Sequence, residues 1–163
     1  LVSLHREENV DDPKKLKLFL SSIEALCETF KVKAIISTHY RTSKKLENIS
    51  FKSKNLLFKK PFGFLDYMFL QKNSFITLSD SGTLSEESSI LRRSSIHLRH
   101  CTERPEGLEN GAIIIGGSSV KKLTSAIKII LEDKKIYNHS SYDKSNVSKI
   151  VLKSVISCLE YYK

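Results

Sequence analysis

Four segments of the sequence carry side chains able to do chemistry. The first is His5-Arg6-Glu7-Glu8-Asn9, with an imidazole, a guanidinium and two carboxylates side by side. The second holds His39, Arg41 and Thr42. The third, Ser79-Asp80-Ser81-Gly82-Thr83-Leu84-Ser85-Glu86-Glu87, runs from hydroxyls and a glycine into a helical stretch. The fourth is Cys101-Thr102-Glu103-Arg104-Pro105-Glu106-Gly107. Imidazole suits proton transfer near neutral pH, and a guanidinium fork matches phosphate or carboxylate. A glycine before a helix start lets an anion sit close to free N–H groups at the positive end of the helix dipole.

Each segment also has a reading with no ligand. Thr83-x-x-Glu86 is the spacing of a capping box, which occupies both residues without a phosphate. Glu87 lies outside that box, one turn into the helix, where a carboxylate could accept hydrogen bonds from ribose hydroxyls. Arg104 is held extended by Pro105 and could be aimed at a phosphate, a carboxylate or a base carbonyl. Equally, the charges of that segment could pair with one another on the surface. His5 alone could be an ordinary loop residue.

The elements that must position these segments alternate. A short apolar strand at 1–4 leads into the His5 loop. Asp12-Pro13 is a helix start, with Asp as N-cap and Pro at the first helical position. Leu16, Phe19, Leu20, Ile23, Leu26, Cys27 and Phe30 then follow at helical spacing. Strands are expected over 32–36, 55–58, 74–78, 95–98 and 112–115. Helices are expected around 44–49 and over 64–71, 84–91 and 118–131. A last helix over 146–162 carries Val147, Val151, Val155 and Cys158 on one apolar face, where a thiol such as Cys158 is expected to be a small core hydrophobe. The strands read as continuous apolar runs covered on both faces. The pattern predicts an α/β fold, a parallel doubly wound sheet with helices on both faces. All four chemical segments fall where such a sheet binds ligands, beyond the carboxyl ends of its first, second, fourth and fifth strands.

Composition narrows the classes. Among 163 residues, 27 Lys and Arg against 18 Asp and Glu give a net charge of +9, spread as Lys pairs such as Lys14-Lys15 and Lys59-Lys60. No nucleic-acid-binding motif accompanies it, so solvated surface with some attraction for anions is the expected role. No apolar run approaches the roughly 20 residues of a membrane span, and no signal peptide is visible. Cys27, Cys101 and Cys158 show neither CxxC nor zinc spacing, which predicts a reduced, cytoplasmic protein with no metal. The chain begins at Leu1 and reads as a piece of something longer.

Taken together, the motifs resemble those of the non-hydrolysing UDP-N-acetylglucosamine 2-epimerase family. They are His5-Arg6-Glu7-Glu8-Asn9, Pro61 with spaced aromatics, Ser79-Asp80-Ser81-Gly82 with Glu86-Glu87, and Thr102-Glu103-Arg104-Pro105-Glu106. The resemblance covers essentially residues 1–163, as the C-terminal, UDP-binding domain of an enzyme built from two Rossmann-like domains in a glycosyltransferase-B-type arrangement. Finer wording looks like the branch that makes UDP-N-acetyl-L-fucosamine for capsule or O-antigen sugars. This wording is Lys60-Pro61-Phe62-Gly63-Phe64-Leu65-Asp66-Tyr67, Ser81-Gly82-Thr83 with Glu86-Glu87-Ser88-Ser89, Glu103-Arg104-Pro105-Glu106-Gly107, and Tyr142-Asp143 with Asn146-Val147-Ser148. Thr83 stands where the wider family has a second Gly, and Phe64 and Tyr67 stand for its Tyr and Phe.

The resemblance implies an isomerase that inverts C2 of a UDP-N-acetylhexosamine. UDP is eliminated to give a glycal and then re-adds, with no cofactor. It implies that Ser81, Gly82 and Thr83 cradle the phosphates and that Glu87 meets the ribose. Arg104 and Arg6 would grip the nucleotide, Phe62 and Tyr67 would contact uracil, and catalytic His5 would lie by the diphosphate and sugar. The N-terminal domain, which carries most of the acidic catalytic residues, would act with this chain in cis or in trans, as a homodimer when complete. The alternatives are a catalytically inactive UDP-binding fragment of a split or decayed gene, and a glycosyltransferase C-domain. The paired His5 and Arg104 motifs disfavour the latter.

Overall fold

The structure, a computed structural model, describes residues 1–47, 49–132, 142 and 144–159. In chain order the elements are β1 (Val2–Leu4), α1 (Glu7–Val10), α2 (Pro13–Phe30), β2 (Ala34–Thr38), α3 (Tyr40–Leu46), β3 (Leu56–Lys59) and α4 (Phe64–Asn73). They continue with β4 (Thr77–Ser79), α5 (Leu84–Leu91), β5 (Ser95–His97), α6 (Glu106–Glu109), β6 (Ile113–Ile115), α7 (Val120–Glu132) and α8 (Val147–Cys158). All six strands are parallel, in the order β3-β2-β1-β4-β5-β6. The expected α/β sheet of Rossmann type is therefore present.

α2 starts as its sequence dictates. The Asp12 side chain accepts from Lys14 N at 2.8 Å, and Pro13 takes the first position, where a missing N–H costs nothing. The helix ends at Lys31, whose φ of 54° is left-handed, and both Lys31 N and Val32 N bond to Cys27 O. Those exit residues are spent on the helix, so β2 begins at Ala34 and not at Val32. α3 starts at Tyr40, earlier than expected, because His39 Nδ1 accepts from Arg41 N and caps it. Ser74 ends α4, bonding Gln71 O and the Thr77 hydroxyl, which delays β4 to Thr77. Two four-residue helices, α1 and α6, lie inside segments that the sequence presents as loops.

The two faces of the sheet differ. Val2, Leu4, Leu78, Ile96 and Leu98 join Leu16, Leu20, Ile23, Leu26 and Cys27 of α2 and Leu123, Ala126 and Ile127 of α7 in one apolar core. Alternate positions turn to the opposite face and are polar. There Ser95 Oγ accepts from Ser88 of α5 at 2.8 Å, and the Tyr67 hydroxyl of α4 reaches the Ser3 and Ser79 hydroxyls. The central strands thus alternate, and the expectation of uniformly apolar runs is corrected. A second correction concerns α8. None of its residues is buried, and Val147, Val151, Val155 and Cys158 are exposed because no described residue covers that face. Asp143 and residues 160–163 lie outside the described residues. Among the described residues, no helix is long and apolar enough to cross a membrane.

Candidate functional site

The connections after β1, β4 and β5 meet at the carboxyl edge of the sheet. β1 and β4 are neighbours at its centre, although 75 residues separate His5 from Asp80. Asp80 ties these connections together. It is fully buried, and its carboxylate accepts from His5 N, Arg6 N, Asn9 Nδ2 and the ring of His5. Its carbonyl accepts from Arg6 Nε at 3.0 Å. Asn9 spans onward to Leu98 O at the end of β5. Burial pushes the Asp80 carboxyl up, but the donors from His5, Asn9 and Arg6 outweigh it and hold the group below its ordinary value.

That carboxylate also orients His5. Its Oδ1 lies 3.0 Å from His5 Nδ1. An ionised carboxylate only accepts, so the proton of this contact sits on Nδ1, and Nε2 is the ring atom left to meet a ligand. The His5 and His39 rings lie with centroids 5.7 Å apart.

Gly82 is the point where cations converge. A Cβ built there would stand 2.7 Å from Arg104 Nη1 and 3.6 Å from Arg6 Nη2. Two guanidinium groups from separate loops therefore approach the backbone just before α5. Arg104 is steadied by Glu86, with Nε to Oε1 at 2.6 Å. Two positive groups over a helix N-terminus make a seat for a diphosphate.

The hydroxyls beside Gly82 form a directed chain. Thr83 Oγ1 donates to Glu87 Oε1 at 2.7 Å, so the 2.9 Å contact between Ser81 and Thr83 has Ser81 donating. The capping box is overturned here. Thr83 is helical at φ −71° and caps nothing, and Glu86 turns away to Arg104. Tertiary charge pairing has displaced a local cap worth about 1 kcal/mol. Burial raises the Glu87 carboxyl above its ordinary value, partly offset by the Thr83 hydroxyl and the Gln71 amide.

In the fourth loop, Arg99 is buried and grips Glu103 through two 2.8 Å contacts, with Glu8 at 3.4 Å. Arg99 holds the Glu103 carboxyl down to about 2. The loop is thus self-paired at Arg99, while Arg104 reaches across to α5.

The structure brings His5, Arg6, Ser81, Gly82, Thr83, Glu87 and Arg104 to one edge. Tyr67 approaches from behind, and burial, then the nearby Glu87, pushes its phenol up to about 12. Phe62 is half-buried ahead of α4, and its side chain shares no hydrogen bond or ring contact with the cluster among the described residues. Sequence reasoning assigned no role to Asp80, Asn9 or Gln71. The signal for the first was a carboxylate directly after a buried strand, which demands donors from elsewhere. Among the described residues, no group of three or more His, Cys, Asp or Glu side chains is placed to hold a metal ion.

A family model described as UDP-N-acetylglucosamine 2-epimerase matches residues 1–155. The UDP-N-acetylglucosamine 2-epimerase of Methanocaldococcus jannaschii is 35% identical over 156 residues, covering 93% of this chain and 43% of that protein. That of Neisseria meningitidis serogroup A is 25% identical over 162 residues, covering 96% and 44%. The crystal structure of the M. jannaschii enzyme in complex with UDP-GlcNAc and UDP superposes with a TM-score of 0.81 at 34% identity, over 93% of this chain and 44% of that one. The N. meningitidis enzyme bound to UDP-GlcNAc gives 0.76 at 25% identity, over 96% and 44%. The chain spans less than half the length of these relatives.

Proposed function

The chain belongs to the UDP-N-acetylglucosamine 2-epimerase family, and from that footing we propose that residues 1–163 are the UDP-binding domain of a UDP-N-acetylhexosamine 2-epimerase. The observation that carries this reading is the convergence of Arg6 and Arg104 on Gly82, at the N-terminus of α5 and beside an Asp80-anchored His5. That arrangement suits a diphosphate whose β-phosphate must gain charge as the C1–O bond breaks. M. jannaschii and N. meningitidis relatives hold UDP-GlcNAc in their crystal structures, which supports the same ligand class.

In the proposed reaction a base takes the C2 proton while the C1–O bond breaks, and its electrons leave with UDP. The glycal is then reprotonated on its other face, and UDP re-adds at C1. The base belongs to the rest of the enzyme. This chain holds the leaving group: the guanidiniums and α5 N–H groups take the diphosphate, and Glu87 takes ribose hydroxyls. His5, with Nδ1 fixed on Asp80, meets the β-phosphate through Nε2. The finer motifs, such as Ser81-Gly82-Thr83 and Glu86-Glu87-Ser88-Ser89, support a role in UDP-N-acetyl-L-fucosamine synthesis.

Titration calorimetry with UDP tests the reading. UDP should bind the 163-residue chain and slow amide exchange across 80–87. Absence of both would overturn it. Alone, the chain should not wash solvent deuterium into C2, whereas joined to a cognate N-terminal domain it should. In that joined enzyme His5→Ala should cost about 2.7–4 kcal/mol of transition-state stabilisation.

A further inference from the structure

Behind Glu87 lies a side chain that the site as described does not use. Gln71 is 1% exposed, and neither atom of its amide has a hydrogen-bond partner among the described residues. It sits one helical turn after Tyr67 on α4, facing the polar side of the sheet. Tyr67 has its own partners there in Ser3 and Ser79. The Gln71 amide instead lies against the Glu87 carboxyl, close enough to favour its charged form without completing a bond. A buried amide with nothing to bond is costly, and leucine or methionine would fill the same space without that cost.

We infer that Gln71 is a positioning residue for Glu87, holding its carboxylate in the orientation that accepts the ribose hydroxyls of the nucleotide. This rests on the proposed function, because it presumes that Glu87 meets the ribose. Thr83 fixes one carboxylate oxygen, Oε1, from the α5 side. A single donor leaves the group free to pivot about that bond. The Gln71 amide N–H, arriving from α4, completes its bond to the carboxylate when a nucleotide is seated, giving a second point that turns the remaining lone pairs toward the cleft. Two donors from two helices make a rigid acceptor for a pair of hydroxyls.

The experiment compares UDP with 2′,3′-dideoxy-UDP on the 163-residue chain by calorimetry. The unsubstituted chain should prefer UDP. Gln71→Met, matched in length and apolar, should cut that preference about tenfold, the scale of one hydrogen bond, with dideoxy binding unchanged. A second readout needs no nucleotide: ¹³C NMR titration of Glu87 should move to higher pH in Gln71→Met. Gln71→Asn, which withdraws the amide, should move it the same way if the methionine variant folds poorly. Equal weakening of both nucleotides, an unchanged preference, or an unmoved Glu87 titration overturns the inference. A chain that binds no UDP, or a Glu87→Gln variant that keeps the preference, overturns the ribose reading itself and this inference with it.

Discussion

Asp80→Asn tests the centre of the site most directly. The carboxylate is fully buried and accepts from two backbone N–H groups, the Asn9 amide and the His5 ring. Asparagine has the same shape but one acceptor oxygen and no charge. If that oxygen faces Arg6 N and Asn9 Nδ2, both bonds survive as neutral ones. Bonds to a charged group are worth about 1.5–3 kcal/mol and neutral ones about 0.5–1.5, so each loses about 1 kcal/mol. The amide NH₂ then faces His5 Nδ1, which must become an acceptor and move its proton to Nε2. The total is a destabilisation of about 2–3 kcal/mol, or a fall in Tm of about 4–12 °C for a chain of this size. Thermal unfolding followed by circular dichroism measures the first, and side-chain ¹⁵N shifts of His5 report the tautomer. The folded Asp80 carboxyl lies below its ordinary value. Its contribution is therefore present above the unfolded pKa of about 3.9 and lost as pH falls through the folded value. The gap between the two proteins should close only in that acid range. A change under about 0.5 kcal/mol, as at an ordinary surface position, with an unmoved His5 tautomer, would refute the anchoring argument.

Gly82→Ala should leave Tm nearly unchanged yet weaken UDP. Its Cβ meets only the far ends of Arg104 and Arg6, which can swing aside but then leave the diphosphate seat; unaltered UDP affinity by calorimetry would remove those guanidiniums from the site. Gly107→Ala should destabilise by about 1–3 kcal/mol in urea unfolding, because its Cβ would lie 2.8 Å from Ser85 Cβ and 3.1 Å from Ile113 Cγ1. His97 is fully buried, neither ring nitrogen has a hydrogen-bond partner among the described residues, and burial, then Arg99, pushes it below its ordinary value. As pH falls below about 6.5 the unfolded chain takes a proton that the folded chain refuses, so stability drops by up to about 1.4 kcal/mol per pH unit until the folded pKa is reached. His97→Leu should flatten that part of the stability curve, and equal slopes in the two proteins would contradict the assignment.

What the sequence revealed follows the range of the interactions involved. Asp12-Pro13 and the stripe from Leu16 to Cys27 are local and periodic, and α2 formed where they placed it. The shifts in β2, α3 and β4 arose from exits and caps at Lys31, His39 and Ser74, whose roles depend on backbone geometry. α1 and α6 are four residues each, too short for any 3.6-residue period to show. The Thr83-x-x-Glu86 box failed because Arg104, 18 residues later, competes for Glu86. Asp80 stands in the motif without a role because its side-chain partners lie 71 to 75 residues away. The motif resemblance picked out loops that meet at the carboxyl edge of the sheet, but the bonds that hold those loops together are long-range.

The strand order explains why these loops form one site. At the junction of β1 and β4 the chain leaves toward β2 on one side and toward β5 on the other. The two connections diverge and leave a crevice between them, which is where ligands enter sheets of this kind. A crevice alone does not fix the height of the α5 N-terminus above it. An apolar layer beneath α5 would hold the helix by area, which has no direction. Here the layer is hydroxyl-lined. Ser88 donates to Ser95 at 2.8 Å, Asn110 to Ser89 at 3.0 Å, and Asp80 is bonded on every side. Hydrogen bonds weaken steeply with misalignment, so this layer sets the register of α5 against the strand ends. The polar face of the sheet is therefore the part of the fold that holds Gly82 under its two arginines and Glu87 against Thr83 and Gln71.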